Sequence, residues 1–423
     1  MEKTLIKRAK IIDPNSKFNN KIKDILVVDG IIHKIADKIS DNDAEIIEQD
    51  NLHICPGLFD MNVNFPEPGY EDRETLESGC NAAMAGGFTG VGLVPDSFPE
   101  TDNKSSVEYI LNNTKDYLVD VFPYGTISKN KKGESLSEMF DMKNSGAIGF
   151  LDANFPIKNA GLLSRALLYA KNFDGLIISE PYDNTISPNG QMNEGIESTK
   201  LGLEGIPSLS EEIQLSRDLL LSSYNNARLH ISKISSGLSV PIIKEAKENN
   251  LDISSSVAIH NLILNDKDLS SFDSNYKLNP PLRTEDDKNE LISALKNDII
   301  DVITSDHCPQ NIESKDCEFE IASFGAIGTQ NAFCLAVTFL EKSLGLETII
   351  TKMSINPRTI LKLDIPKIET KYKANITIFN PKKKWEFTKE NNKSLNNNSP
   401  YFDLEMKCKI VGVINGDKKN IIN

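Results

Sequence analysis

The sequence has few histidines and no long hydrophobic run. Five of its 423 residues are histidine: His33, His53, His230, His260 and His307. No hydrophobic segment approaches the roughly 18 consecutive apolar residues that a membrane-spanning helix requires. The opening residues, MEKTLIKRAKIIDP, carry charges throughout. We therefore expect neither a signal peptide nor a membrane anchor, and we expect a cytoplasmic protein.

Paired cysteines and excess positive charge are also missing. The six cysteines are scattered without the spacing of a metal site, which is typical of reduced thiols in a cytoplasmic protein. Lys and Arg number 47 against 61 Asp and Glu, which gives a formal net charge of -14. A surface of that sign does not attract phosphate polyanions, so we expect no partnership with nucleic acid or with an anionic membrane.

Short apolar runs alternate with helical patterns through the middle of the chain. The helical patterns cover 73–85, 103–115, 159–172, 208–224, 236–249 and 285–296. The apolar runs predict buried parallel strands at 52–61, 88–94, 118–123, 147–151, 175–179, 227–232, 252–257 and 300–305. Such a series predicts an α/β fold, a closed (β/α)8 TIM-like barrel with its functional residues in the loops that follow the strands. Three of these loops are long: 180–207, 258–284 and 306–325.

Both ends of the chain have β patterns. The opening predicts strands at 4–12 and 22–37, and short strands return after residue 370 in KANITIFNP, KWEF and KCKIVGVINGDKK. The two ends are predicted to meet in one small β-sandwich. The predicted domains are residues 1–51 and 366–423, which form the sandwich, and residues 52–365, which form the barrel.

Polar side chains stand where the barrel strands are predicted to end. In LFDMNVNFPEPG the first strand presents Asn62 and Asn64, which are two residues apart and therefore share one face. A strand with this spacing commonly aims two imidazoles at a metal, but here both side chains are amides. The other predicted strand ends carry Asp152, Ser179, Lys233 and Asp306.

Several motifs resemble dihydroorotases of the amidohydrolase superfamily, and they occur in the same order as in that family. They are PGLFDMNVNFPEPGYEDRETLESGCNAAMAGGFTGV, YKLNPPLRTEDD, DVITSDHCPQ and FGAIGTQNAF. The resemblance implies a barrel in which histidines and carboxylates at the strand ends hold two zinc ions and a bridging hydroxide. It also implies a role in pyrimidine biosynthesis.

Compared position by position, the chain departs from the family pattern at every metal-binding histidine. Asn62, Asn64, Ser179 and Lys233 stand at those positions, while the carboxylates Asp152 and Asp306 remain. Asp306 occupies the family's general acid/base position.

The substrate-binding positions are also altered. Pro66 stands in place of a carboxylate-binding arginine, and Asp96 in place of an asparagine. Asn279 and Arg283, in NPPLR, are kept.

This residue set predicts that no metal is bound. Zinc is expected only if the family activity is retained. Amide oxygens are weak zinc ligands and an ammonium group cannot ligate. One alternative is weak binding of magnesium or calcium by the amide and carboxylate oxygens at the strand ends. Another is a single metal site rebuilt around His260 and His307. We hypothesise that the Lys233 ammonium replaces the metal charge and pairs with Asp152 or Asp306. Alternatively, Lys233 extends to solvent.

Two functions follow from the sequence. The first is a catalytically impaired or silent relative, retained as a structural partner, with aspartate transcarbamoylase as the candidate partner. The alternative is an active dihydroorotase that interconverts N-carbamoyl-aspartate and dihydroorotate. A metal-free hydrolase has weaker support, because no motif supplies a nucleophile with its base. A homodimer is the family-level expectation.

Overall fold

Five strands occupy the first part of the chain in the computed structural model, which describes residues 2–422. They are β1 (Lys3–Ile11), β2 (Ile22–Val28), β3 (Ile31–Ala36), β4 (Glu45–Ile47) and β5 (His53–Pro56). β1, β2 and β3 pair antiparallel, whereas β4 and β5 run parallel to β1. The turn between β2 and β3 uses Asp29 and Gly30 with φ of 45° and 75°, a backbone that glycine adopts without strain. The predicted β-rich opening is confirmed.

A closed ring of parallel strands follows. Its regular members are β6 (Leu58–Val63), β7 (Phe88–Leu93), β8 (Asp120–Pro123), β9 (Ile177–Ser179), β12 (Leu229–Ile231), β13 (Ile253–Ala258) and β14 (Val302–Thr304). All residues of β6 and β7 are buried, as expected for parallel strands covered on both faces. The last strand returns to the first, where the Asn64 N–H donates to the His307 carbonyl at 2.8 Å. This ring is the predicted barrel.

The fourth predicted strand, 147–151, forms only isolated bridges. Phe150 bridges Gly125 on one side and Ile177 on the other, so the segment still closes the gap between β8 and β9. β8 ends beside it at Pro123, which has no N–H to donate and interrupts the ladder.

The first predicted strand, 52–61, is two strands, and the boundary between them is Gly57. β5 belongs to the terminal sheet, whereas β6 belongs to the barrel. A Cβ at Gly57 would lie 1.9 Å from Asn375 Oδ1 and 2.2 Å from Thr89 Oγ1. The chain therefore passes between the two sheets at a point where only glycine fits.

The predicted helices are present within a few residues of their expected ends. Four of them begin at a polar residue, Thr75, Asn103, Asn159 or Thr284, whose side chain accepts a backbone N–H of the first turn. The helices are α1 (Leu76–Ala85), α2 (Lys104–Thr114), α3 (Met139–Asn144), α4 (Ala160–Lys171), α5 (Ile196–Leu201), α6 (Leu209–Asn225), α7 (Ser239–Glu248), α8 (Ile259–Ile263), α9 (Glu285–Lys296), α10 (Ala332–Leu344), α11 (Leu346–Ile350) and α12 (Asn356–Leu361).

The long loops contain small elements. The loop after β9 includes the two-residue strands β10 (Met192–Asn193) and β11 (Gly205–Ile206). Short 3-10 turns occupy Lys129–Lys131, Asp266–Ser271, Ser274–Tyr276 and Ile312–Ser314, and a π-helical turn, Thr351–Ile355, joins α11 to α12.

The C-terminal strands are β15 (Asn375–Asn380), β16 (Trp385–Phe387), β17 (Leu404–Met406), β18 (Lys409–Asn415) and β19 (Lys418–Ile421). β15 pairs with β5, and β18 and β19 extend the same sheet, which therefore combines both ends of the chain. The β16 strand, predicted for the terminal domain, instead forms a separate hairpin with β17.

The fold is thus mixed α/β, a barrel with a β-sandwich domain built by the two ends of the chain. The exact boundaries 1–51, 52–365 and 366–423 stay a prediction, and β5 pairs with the terminal sheet although it lies beyond residue 51. Within residues 2–422 no helix has both the length and the hydropathy needed to cross a bilayer.

Candidate functional site

Asp60 fastens the first barrel strand to the last. One carboxylate oxygen accepts the Thr304 hydroxyl at 2.7 Å and the Ser305 N–H at 3.1 Å, and the other accepts the Thr329 hydroxyl at 3.1 Å. Asp60 is fully buried, so these donors replace the water that its charge has lost. The carboxyl ends of β6 and β14 are held together in this way, which brings Asn62, Asn64 and Asp306 to one mouth of the barrel.

Asn62 and Asn64 are both buried at this mouth. The Asn64 amide donates to Asp96 Oδ2 at 2.8 Å, and Asp96 Oδ1 accepts the Lys131 ammonium at 2.7 Å. Asp96 therefore has a cation from the chain itself as its partner. Any anionic ligand that approached Asp96 would have to compete for that lysine.

Lys233 lies between two carboxylates in the barrel mouth. Its Nζ is 3.0 Å from Asp306 Oδ1 and 3.2 Å from Glu180 Oε1, and all three side chains are almost fully buried. The contact with Asp306 agrees with the sequence hypothesis, and the extension of Lys233 to solvent is wrong. Lys233 and Asp306 have φ of 59° and 52°, a left-handed backbone that costs roughly 1–3 kcal/mol per residue, so the surrounding contacts must hold it.

Two of these groups, Asp306 and Lys233, have shifted pKa values. Burial raises the pKa of Asp306 to about 6, in opposition to the neighbouring Lys233. Burial acts to lower the pKa of Lys233, but the charges of Asp306 and Glu180 outweigh it and leave this pKa above its ordinary value. The Lys233 ammonium therefore neutralises carboxylates that would otherwise be buried without a cation.

Asp152 and Ser179 belong to other networks. Asp152 accepts the N–H groups of Ile127 at 2.7 Å and Ser128 at 3.0 Å, and also the Ser128 hydroxyl. Burial still raises its pKa. Ser179 donates its hydroxyl to Asp218 on α6. The loop after β8 therefore supplies the hydrogen bonds to Asp152. The sequence hypothesis allowed Asp152 as a second possible partner of Lys233, but Lys233 pairs with Asp306 instead.

The predicted substrate-binding positions have different local contacts. Arg283 is buried, and it donates to Asn193 Oδ1 at 2.9 Å, the Ile206 carbonyl at 2.6 Å and Ser235 Oγ at 3.1 Å. Pro66 is buried in the turn after β6, where its carbonyl accepts the Tyr70 N–H. Among these positions, Asn279 lines a small cavity together with Lys233.

The histidines near the barrel are buried and contact neighbouring side chains and backbone. His230 lies in β12 and contacts the hydroxyls of Ser254 and Ser256 at 2.8 and 3.1 Å, and burial lowers its pKa to about 3. His260 stacks on Tyr401 with ring centroids 5.5 Å apart, and its pKa is likewise lowered by burial to about 3. His307 Nδ1 accepts the Gly328 N–H at 3.1 Å, while its Nε2 lies 3.4 Å from Glu74.

Little space remains at the barrel mouth. The cavity beside Lys233, Glu180 and Asn279 measures about 20 Å³, which is room for about one water molecule. A cavity of about 620 Å³ lies elsewhere, outside the barrel beside Trp385 and Met84. In the described part of the chain, no group of three or more His, Cys, Asp or Glu side chains is arranged to hold a metal ion.

Sequence reasoning missed three members of the site. Glu180 directly follows Ser179 and could have been recognised as a second acid at a strand end. Lys131 and Ser128 come from the loop after β8, whose path the sequence pattern does not specify.

Comparison with known proteins identifies the family. A dihydro-orotase-like family model matches residues 52–239, and the amidohydrolase family model matches residues 204–418. The dihydroorotase of Ruminiclostridium cellulolyticum is 39% identical over 95% of this chain and 94% of its own length. That of Syntrophus aciditrophicus is 37% identical over 97% of each chain.

Solved structures agree in fold. The L-hydantoinase (dihydropyrimidinase) of Arthrobacter aurescens superposes with a TM-score of 0.86 at 21% identity, covering 100% of this chain and 98% of its own. The dihydropyrimidinase of Brevibacillus agri gives 0.84 at 18% identity, with 100% and 95% coverage. At this identity the likeness shows the barrel and sandwich alone. The sequence relatives show more, and the chain belongs to the dihydroorotase family of amidohydrolases.

Proposed function

We propose that this chain is a dihydroorotase-family protein without zinc-dependent hydrolase activity, retained as a structural partner of another protein. The observation that carries the proposal is the Lys233 ammonium, 3.0 Å from Asp306 and 3.2 Å from Glu180. A metal ion at the same carboxylate would lie against a fixed positive charge, and the repulsion is strong where water is excluded.

The donor atoms at the mouth do not fit zinc, the metal that the amidohydrolase family implies. Zinc sites use imidazole, thiolate and carboxylate ligands. The positions compared with the family ligands offer two amides, a hydroxyl and an ammonium, together with two carboxylates that are already engaged. The replacement of the metal-binding histidines is part of this proposal.

The space at the mouth also supports the proposal. About 20 Å³ beside Lys233 admits a water molecule but not a pyrimidine ring. Arg283, a residue that the family pattern keeps, directs its Nε and Nη1 donors to Ser235, Asn193 and the Ile206 carbonyl.

The alternative is an active dihydroorotase. It is favoured by overall similarity, because the relatives described above share 37–39% identity across nearly the whole chain and carry that name. Metal content and turnover, measured together, separate the two functions.

The purified chain, supplied with zinc and then desalted, is expected to retain no stoichiometric metal and to interconvert no dihydroorotate and N-carbamoyl-aspartate, because the ligands and the space are missing. Elemental analysis and a spectrophotometric assay measure both, with the dihydroorotase of Ruminiclostridium cellulolyticum as the positive control. About two equivalents of zinc together with zinc-dependent turnover would refute the proposal.

Replacement Lys233→Met is expected to lower the free energy of unfolding by about 3 kcal/mol or more, because it leaves Asp306 and Glu180 buried without a cation. Addition of Asp306→Asn should restore part of that loss by removing one charge. Urea unfolding measures both changes.

The matched control is Lys200→Met. Lys200 also lies 2.8 Å from a carboxylate, that of Glu197, but its side chain is 62% exposed. We expect a change below about 1 kcal/mol for this exposed pair. Equal effects of the two lysine replacements would mean that the buried ammonium has no special role.

The candidate partner is aspartate transcarbamoylase. Mixed with the transcarbamoylase from the same genome, the chain is expected to co-elute with it on size-exclusion chromatography and to change its thermal stability or its activity. Lys233→Met, if folded, should co-elute equally well, because the barrel mouth does not form the contact. Independent elution with no effect on the transcarbamoylase would reject this partner while leaving the result on turnover intact.

A further inference from the structure

The cavity of about 620 Å³ outside the barrel has the size of a ligand site. It lies between the end of α1, strand β16 and the edge of the terminal sheet at β18 and β19, and we call it the Trp385 cavity. Small-molecule sites typically measure about 300–1,000 Å³, whereas the cavity at the barrel mouth holds about one water molecule. The Trp385 cavity is separate from every residue assigned above to the barrel mouth.

Trp385, the single tryptophan of the chain, is held firmly at the wall of this cavity. Its indole N–H donates to the Cys408 carbonyl, and its ring packs edge-on against Phe387 with centroids 6.2 Å apart. The side chain is only partly buried, and it lines the cavity. A fixed aromatic surface of this kind can stack on another flat ring with little loss of conformational entropy.

Aliphatic side chains form the rest of the apolar lining. Met84 and Ala85 come from the last turn of α1, Ile410 comes from β18, and Ile422 directly follows β19. Ile410 is buried, and Ile422 packs against the main hydrophobic core. This surface favours a ring over a hydrated polar molecule, because burial of apolar surface contributes about 25 cal/mol per Å².

Two lysines at the same cavity have no carboxylate partner. Lys393 and Lys409 both line the cavity, and neither ammonium makes an ion pair within residues 2–422, whereas nearby Lys384 pairs with Glu405 at 2.6 Å. Their backbones are fixed, since the Lys393 N–H donates to Gln330 Oε1 at 2.8 Å and Lys409 lies in β18. Two anchored cations are therefore available to a ligand.

The charge of the cavity is opposite in sign to that of the chain. Its lining contains two lysines and one acidic residue, Glu386, although the formal net charge of the chain is -14. Glu386 is exposed and alternates with Trp385 along β16, so the two side chains extend from opposite faces of that strand. A small anion is attracted to this place, while the surrounding negative surface opposes a large polyanion.

We propose that the Trp385 cavity binds a small aromatic anion, a molecule of one or two fused rings that carries a single anionic group. The ring lies against Trp385 and the aliphatic side chains, and the anionic group is held by the ammonium groups of Lys393 and Lys409. An uncharged aromatic molecule lacks the second contact, and a sugar lacks the first. The proposal does not depend on whether the barrel mouth is active.

The probe for this site is anilinonaphthalene sulfonate, which combines a fused ring with one sulfonate. Because Trp385 is the only tryptophan, tryptophan fluorescence of the intact chain reports on the cavity and its surroundings. Titration is expected to quench that fluorescence and to excite the bound probe by energy transfer, with saturation at one probe per chain. Absence of saturable binding would overturn the proposal, and so would binding that leaves the Trp385 fluorescence unchanged.

Lysine replacements test the contact with the anionic group. Lys393→Met and Lys409→Met are each expected to raise the Kd of the probe about tenfold, because each removes a charge-assisted contact. The matched control Lys384→Met removes an exposed charge that does not line the cavity, and its Kd should stay within about twofold of wild type. Phenylnaphthylamine, which lacks the sulfonate, should bind wild type and the three variants equally. An unchanged Kd of the sulfonate in both cavity variants would refute the role of the two ammonium groups.

A steric variant tests the apolar part of the site. Ala85→Phe places a ring in the cavity from the last residue of α1 and should abolish detectable binding of both probes in isothermal titration calorimetry. Ala85→Ser, which nearly keeps the size of the side chain, is the matched control and should bind as wild type does. Circular dichroism checks that every variant is folded. Undiminished binding to folded Ala85→Phe would place the probe elsewhere and contradict the proposal.

Discussion

The buried ammonium of Lys233 is the interaction on which the barrel mouth depends. Asp306 and Glu180 come from the ends of different strands, and each would be costly to bury alone. One lysine placed between them supplies the positive charge and joins the regions after β9, β12 and β14. The same principle accounts for Asp96, which pairs with Lys131 and Asn64. The mouth is therefore neutralised largely by cations that belong to the chain.

A side-chain cation and a metal ion balance charge equally well but differ in chemistry. The ammonium of Lys233 has donor hydrogens and no vacant coordination position, so it cannot bind a carbonyl oxygen as a Lewis acid or lower the pKa of a water ligand. Its side chain also lines the small cavity at the barrel mouth. Under the proposed function, the lysine that stabilises Asp306 also removes the basis of hydrolysis, so the fold can be stable without activity.

The sequence predicted the barrel well and the site only in part. Periodicity was sufficient for strands such as β7 and helices such as α4, because their burial follows directly from residue spacing. The placement of Lys233 and Asp306 at strand ends was sufficient to predict their contact. Periodicity did not predict that Ser128 would donate a hydrogen bond to Asp152, or that Arg283 would donate one to Asn193. The conformations of loops determine both contacts. The small volume of the cavity beside Lys233 was equally unpredictable, because residues of several loops line it.

Helix α6 connects the interior of the barrel to its surface. Its inward side chains include Glu211, which accepts a hydrogen bond from the loop after Lys233, and Asp218, which accepts one from Ser179 at the end of β9. Residues that serve this network cannot also supply apolar packing, so Leu215 and Leu219 are the apolar residues on the buried face of the helix. The order of the barrel mouth therefore depends on the buried face of α6, which positions Ser179 and Ser235.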